Sequence, residues 1–333
     1  VIYSKQVQLA FRKASVCEAI TNSDYFGEIA NMGDSVKIIK EPEITVQPYL
    51  RGKTITPQDL DDEDFSLTID KANYFAFKVD DIEEAHSHVN FQSLASDRAA
   101  YRLGDQYDQD VLGYLSGFKQ SALHGSPDTV NTTTNGSVAV STAGTDELLS
   151  SMKIDAASFG GSAGDALALQ PRTGGATDST PAVGDTFPLT VIARMSRLLD
   201  QQNVDTQGRW LVVDPVFMEL LKDEDSRLFN ADFGGSGLQN GLIGMNIHGF
   251  RVYTSNNLPT VGTGPSFTGT NSAVNYGMIV AGHDSAVATA EQINKTETYR
   301  DPDSFSDIVR GMHLYGRKIL RPEALVNAKY HLA

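Results

Sequence analysis

The chain has little sulfur chemistry: Cys17 is its only cysteine in 333 residues. A lone thiol excludes an intrachain disulfide, so packing has to supply the stability. Such cysteine usage fits a reducing compartment. Long apolar runs are missing too. No stretch of about 18–20 apolar residues occurs, which excludes a membrane-spanning helix. There is no signal-peptide pattern, and the first residue is Val1 rather than Met, so a segment upstream of Val1 is expected. Positive charge is scarce. Lys plus Arg is 27 and Asp plus Glu is 42, so the net charge is 27 − 42 = −15. A surface this acidic has no clustered cations to displace counterions from duplex DNA. It can still enclose DNA without gripping it, because an acidic wall repels phosphate and leaves the polymer mobile. No internal repeat and no heptad run is present.

Catalytic signatures are equally sparse. Gly160-Gly161-Ser162-Ala163-Gly164 matches G-x-S-x-G, the serine-hydrolase elbow, but sits in a Gly/Ser/Ala-rich stretch where the pattern arises readily. Gly235-x-Gly237 is followed by Asn240 where a dinucleotide loop needs a third glycine, and G-x-x-x-x-G-K-[ST] is absent, so a turn cluster is expected at 233–241. His86 and His88 have no evident third metal ligand. His283-Asp284 follows an expected strand and reads as a solvated turn. Asp59 to Asp64 lack the spacing of a calcium loop. Cys17 is expected to pack as a small buried hydrophobe. No set of residues converges on a reaction, and neither a cofactor nor a metal is implied.

What the chain does have is architecture. Val36-Lys37-Ile38 and Ile44-Thr45-Val46 alternate in polarity. So do Phe65-Ser66-Leu67-Thr68-Ile69 and Phe75-Ala76-Phe77-Lys78-Val79. Period-2 alternation is the signature of strands, here the outgoing and returning legs of a projecting arm. Its polar tip, residues 51–64, holds Arg51, Lys53, Asp59, Asp61, Asp62, Glu63 and Asp64. An isolated hairpin is marginal in water. The arm is therefore expected to lie on a neighbouring copy of the chain, with these seven tip residues as inter-subunit contacts.

A long helix follows. Over residues 90–122, Phe91, Ala95, Ala99, Leu103, Tyr107, Val111, Leu115 and Phe118 form an i, i+4 stripe. Its length would be roughly 45–50 Å. Gly104, Gly113 and Gly117 weaken it, so packing must hold it. Acidic residues Asp80, Asp81, Glu83 and Glu84 precede it and suit its N-terminal dipole.

Elsewhere, residues 6–20 are compatible with a short helix. Residues 123–186 are rich in Ser, Thr and Gly and read as loops, with a short helix at 146–152. Leu189, Ile192, Met195 and Leu199 have helical spacing, with Thr186 or Pro188 as the start. Trp210-Leu211-Val212-Val213 reads as a buried strand, and a helix begins at Val216. Further strands are expected at 249–254, 276–281, 308–317 and 321–326. The overall class is α+β, with helices and strands layered around residues 187–281.

Taken in order, these landmarks resemble the major capsid protein of tailed bacteriophages, the Hong Kong 97 phage capsid fold. The resemblance implies an N-terminal arm at 1–33 and an extended E-loop hairpin at 34–80. It implies a peripheral domain at 81–186 with its spine helix at 90–122, an axial domain at 187–306 and terminal strands at 307–333. It also implies hexamers and pentamers of one chain, forming an icosahedral shell around double-stranded DNA. Scaffolding, portal and decoration proteins would be partners, the host bacterial cytoplasm the place of assembly, and the virion the destination. Some members cross-link an E-loop lysine, but nothing around Lys53 matches that motif. An encapsulin nanocompartment is the alternative with the same fold, distinguished by co-purifying cargo enzyme. A serine hydrolase using Ser162 is the enzymatic alternative.

Overall fold

The computed structural model describes residues 15–23, 35–39, 44–48, 51–52, 54, 57–58, 64–69, 71–80, 91–116, 148–163, 165–170, 185–222, 246–261, 265 and 276–332. Among them are four α-helices: α1 (Cys17–Ile20), α2 (Phe91–Leu115), α3 (Pro188–Gln201) and α4 (Pro215–Leu221). The strands before α4 are β1 (Ser35–Ile39), β2 (Asp64–Thr68), β3 (Lys71–Asp80), β4 (Lys153–Ile154), β5 (Leu167–Leu169), β6 (Asp185–Thr186) and β7 (Arg209–Val213). Those after it are β8 (Asn246–Ile247), β9 (Phe250–Thr254), β10 (Thr260–Val261), β11 (Tyr276–His283), β12 (Val287–Arg300), β13 (Ser306–Ile319) and β14 (Leu325–Leu332).

A mixed nine-stranded sheet carries the larger core, in the order β6-β5-β14-β11-β7-β9-β8, with β4 also on β14 and β10 also on β11. Strand β7 lies inside it, between β11 and β9, and every residue of Arg209–Val213 is buried. The reason is in the side chains. Alternate residues of a strand point to opposite faces, and here both faces are covered. Trp210 and Val212 join one cluster with Tyr107, Val111, Leu112 and Leu115 of α2. Leu211 and Val213 join a second with Val191, Ile192 and Met195 of α3 and Phe217 of α4. Helix α3 begins with Pro188 at its first position, where a missing N–H costs nothing. Helix α4 is capped by Asp214, which accepts from the Phe217 amide at 3.0 Å.

A separate antiparallel sheet has the order β12-β13-β3. One face is covered by α2, which packs on both β3 and β13. Tyr107 meets the rings of His313 and Tyr315 edge-on, with centroids 5.7 and 5.0 Å away. The long helix thus bridges the two sheets. At 25 residues it spans roughly 38 Å. Its expected extension through 117–122 lies outside the described residues, as do residues 6–14 of the expected first helix.

The arm differs from expectation. Its hairpin is β1 on β2 alone, with Val36 opposite Leu67 and Ile38 opposite Phe65. Ile44-Thr45-Val46 forms no strand; residues 44–48 are exposed and have no regular structure. Residues 75–79 do not return along the arm. They belong to β3, which leaves it and pairs with β13, Phe77 opposite Val309 and Asn73 opposite His313. There Phe75 and Phe77 become partly buried, which a bare two-stranded arm could not provide. The base of the hairpin presses on β13 so closely that a Cβ at Gly316 would stand 2.3 Å from the Thr68 carbonyl oxygen. The short helix expected at 146–152 is a single 3-10 turn, Ser150–Met152. Strand β12 was not expected at all, and it places residues 287–300 beside β13, at the edge of the three-stranded sheet rather than in the larger one.

Candidate assembly surfaces and the buried hub behind them

The arm presents apolar groups to solvent. Ile44 is 69% exposed and Val46 is 91% exposed. They sit two residues apart, so an extended chain shows both on one side. The Thr45 amide donates to Gln58 Oε1 at 3.1 Å, which ties the two sides of the tip together. Arg51 stands exposed at a turn that Gly52 allows with φ of 88°. Asp64 is the first residue of β2. Lys53, Asp59, Asp61, Asp62 and Glu63 lie outside the described residues.

The bare face of the three-stranded sheet is a second such surface. Tyr74 and Met312 are cross-strand neighbours there; Tyr74 is 80% exposed, and Met312 and Tyr299 are about four-tenths exposed. At the end of the sheet, the turn from β12 to β13 holds Phe305 at 81% exposure. This turn is well bonded. Asp301 Oδ2 accepts from Lys78 Nζ and from Ser304 Oγ, both at 2.7 Å, and Asp301 Oδ1 accepts from the Asp303 amide at 3.1 Å. The Asp301 amide donates to the Ser306 carbonyl at 3.0 Å. The Lys78 hydrogen bond, with help from Ser304, holds the Asp301 carboxyl well below the usual carboxylate range. Exposed ion pairs flank the turn: Arg300 with Asp307 at 3.2 Å and Arg310 with Glu297 at 2.8 Å. The Arg310 guanidinium also lies 5.1 Å from the centre of the Tyr299 ring.

Behind these surfaces, α2 carries buried charge. Asp108 Oδ1 accepts from Ser15 Oγ (3.0 Å), the Val16 amide (2.9 Å) and the Cys17 amide (3.0 Å). Its Oδ2 accepts from Asn257 Nδ2 at 2.8 Å. Asp110 pairs with Arg317 of β13 at 3.1 Å, both side chains being nearly inaccessible. The Arg317 guanidinium also stacks 4.4 Å from the Tyr114 ring centre. Three sequence-distant segments therefore converge on one turn of helix: residues 15–17, the loop at Asn257, and β13. A buried carboxylate is tolerated only when such donors satisfy it. Burial, then the Asp108 charge, raises the Cys17 thiol well above its ordinary value. A thiol held protonated is a poor nucleophile, so Cys17 packs as the small hydrophobe the sequence suggests.

The catalytic motifs find no supporting geometry. Ser162 is exposed in a loop that follows a 3-10 turn (Ala156–Phe159) and precedes β5. The elbow needs the reverse, a strand before and a helix after. His283 and Asp284 sit together at the β11–β12 turn, but each bonds to other partners. His283 Nδ1 meets Ser285 Oγ and Nε2 meets the Gln207 carbonyl, each at 2.8 Å, while Asp284 pairs with Arg251 at 2.6 Å. His86, His88 and the 233–241 turn cluster lie outside the described residues. Among the described residues, no group of three or more His, Cys, Asp or Glu side chains is placed to hold a metal ion. No helix among them is long and apolar enough to cross a membrane.

Sequence reasoning found the two strands of the β1–β2 hairpin and missed the exposed aromatic residues and the hub. Phe305 carries a signal in retrospect: it is an aromatic residue inside an Asp-Pro-Asp-Ser turn, where a buried role is improbable. Asp108 carries one too, as a charge next to the apolar stripe at Tyr107, Val111 and Leu112.

Mixed layers joined by one long helix, with a hairpin and a β-face left bare, define a fold shared with phage capsids. Over 98% of this chain and 96% of the other, it is similar to a structure from Mycobacterium phage Che8, with 23% identity and a TM-score of 0.68. It is also similar to the capsid of cyanophage P-SCSP1u, with 16% identity, 100% and 93% coverage and a TM-score of 0.65. A third likeness is to the mature capsid of bacteriophage PhiM1, with 16% identity, 99% and 91% coverage and a TM-score of 0.64. No curated protein matches the sequence. A family model described as phage capsid protein matches residues 62–328, and the chain belongs to that family. It is a structural protein of the phage capsid.

Proposed function

We propose that this chain is the repeating subunit of a tailed-phage head, closing as hexamers and pentamers into an icosahedral shell around double-stranded DNA. The observation that carries this reading is the family match over residues 62–328, in a chain whose arm shows Ile44 and Val46 to solvent. A segment with alternating apolar residues that pairs with no strand among the described residues suits a neighbouring copy. The hairpin with residues 44–58 acts as the E-loop, with Arg51, Lys53, Asp59, Asp61, Asp62, Glu63 and Asp64 as its inter-subunit contacts. Helix α2 serves as the spine on the peripheral side, and the nine-stranded sheet serves as the axial side.

A net charge of −15 suits a wall that encloses DNA and leaves it mobile. Free subunits are accordingly expected not to retard duplex DNA at about 0.15 M salt. Assembly takes place in the host bacterial cytoplasm and ends in the virion, with scaffolding and portal proteins as partners.

Negative-stain microscopy with sedimentation velocity tests the reading. The full chain is expected to give capsomer rings or closed shells. Deleting residues 51–64 is expected to leave a soluble, folded chain that makes no stable shell. A deletion variant that assembles normally removes the assigned role of the tip, and a full chain that stays monomeric with scaffold supplied contradicts the shell itself.

A further inference from the structure

The turn from β11 to β12 joins a hydroxyl, an imidazole and a carbonyl oxygen in one chain of contacts. His283 Nε2 lies 2.8 Å from the Gln207 carbonyl oxygen, and His283 Nδ1 lies 2.8 Å from Ser285 Oγ. A carbonyl only accepts, so Nε2 carries the proton of the neutral ring. Nδ1 is then the acceptor, as the hydrogen bond it takes from the Ser285 amide at 3.1 Å requires. The Ser285 hydroxyl therefore directs its proton at Nδ1. A hydroxyl bonded to a base that a third group orients is the arrangement that activates a nucleophile.

The frame around it is fixed. The Asp284 amide donates to the Gly208 carbonyl at 3.1 Å, and the Ala286 amide donates to the His283 carbonyl at 2.9 Å. Arg251 grips both oxygens of Asp284, at 2.6 and 2.7 Å. Gly208 has φ of 80°, and a Cβ there would stand 3.1 Å from both His283 Nε2 and Asp284 Oδ2. Glycine is what lets the backbone at 207–208 come so close to the ring. His283 and Ser285 are only partly buried, so a small solute can reach them. The amides of Asp284, Ser285 and Ala286 all donate already, which leaves the turn without an oxyanion donor of its own. Attack there has to be driven by a good leaving group.

We propose that Ser285 is an acyl-acceptor site, activated by His283, whose substrates are small esters with a good leaving group. Ser285 Oγ bonds to the ester carbonyl carbon while its proton passes to His283 Nδ1. The carbon–oxygen bond to the leaving group then breaks, and the departing alkoxide takes that proton from Nδ1. The products are an acyl-serine and a free alcohol, with the imidazole neutral again. The site needs one copy of the chain, so it stands apart from the shell-forming reading.

The test is p-nitrophenyl acetate added to the full chain, with acetylated peptides read by mass spectrometry. Ser285 is expected to be acetylated faster than any other serine. Ser285→Ala should lose that label while its melting temperature stays put, and His283→Gln should slow acetylation at Ser285 about 100-fold. Labelling of Ser285 no faster than other serines overturns the proposal, and that reading comes from the parent chain alone, whether or not a variant folds. An unchanged rate at Ser285 in folded His283→Gln overturns it as well.

Discussion

Trp210 and Phe305 are both large aromatic residues, and the fold treats them in opposite ways. Trp210 lies on an interior strand of the nine-stranded sheet, wholly inaccessible, with helices over both faces of that sheet. Phe305 stands in water at the end of a three-stranded sheet whose outer face shows Tyr74 and Met312 to solvent, uncovered by the described residues. One region completes its own core. The other shows apolar groups on a rigid frame and stays incomplete while the chain is alone. The contrast separates residues that hold the subunit together from residues that join subunits, and substitutions in the two regions should fail in different assays.

The largest effect is expected at Trp210. Trp210→Ala leaves a cavity between β7 and α2 and should cost about 3–5 kcal/mol, read as a lower denaturation midpoint of the free chain. If that variant melted like the parent, the sheet would not be the core of the fold. Asp108→Ala comes next. It strands the donors of Ser15, Val16, Cys17 and Asn257, and should cost about 3 kcal/mol; proteolysis should then begin near residues 15–23. Unchanged protection of that segment would show that the hub is not what fixes it.

A smaller effect concerns Lys329. It is buried on β14, and burial, reinforced by the nearby Lys153 charge, pushes its amine down to about 8 from the ordinary 10.5. Between those two values the unfolded chain binds the extra proton and the folded chain does not, so stability should rise with pH across that window. Lys329→Met should flatten that part of the curve, read from denaturation midpoints at a series of pH values; an equally steep rise in the variant would assign it to another group. The smallest effect on the free chain belongs to Tyr74→Ser, within about 0.5 kcal/mol, although shell yield should fall. A large drop in its melting point would place Tyr74 in the core after all.

The same contrast governs how much the sequence reveals. Strand β7 is legible because both its faces are buried, and a run such as Trp-Leu-Val-Val has few other uses. Helix α2 is legible through its i, i+4 stripe, which closes on Tyr107, Val111 and Leu115. Strand β12 is not. Its middle reads Glu291-Gln292-Ile293-Asn294-Lys295-Thr296-Glu297, and it is a strand because β13 pairs along it. The opposite error occurs at Ile44-Thr45-Val46. Alternation there predicts a strand, but alternation records which side is apolar and not which chain supplies the partner. The Asp108 hub depends on contacts with residues 15–17 and 257, distances that no local pattern encodes.

Amide hydrogen exchange, measured on the free subunit and on assembled shells, tests the central claim most directly. Strands β7 and β11 should be equally protected in both. Residues 44–48 and 51–52 should exchange fast in the free subunit and slowly in the shell. Equal exchange of those segments in the two states would contradict the claim that the bare surfaces are completed by other copies of the chain.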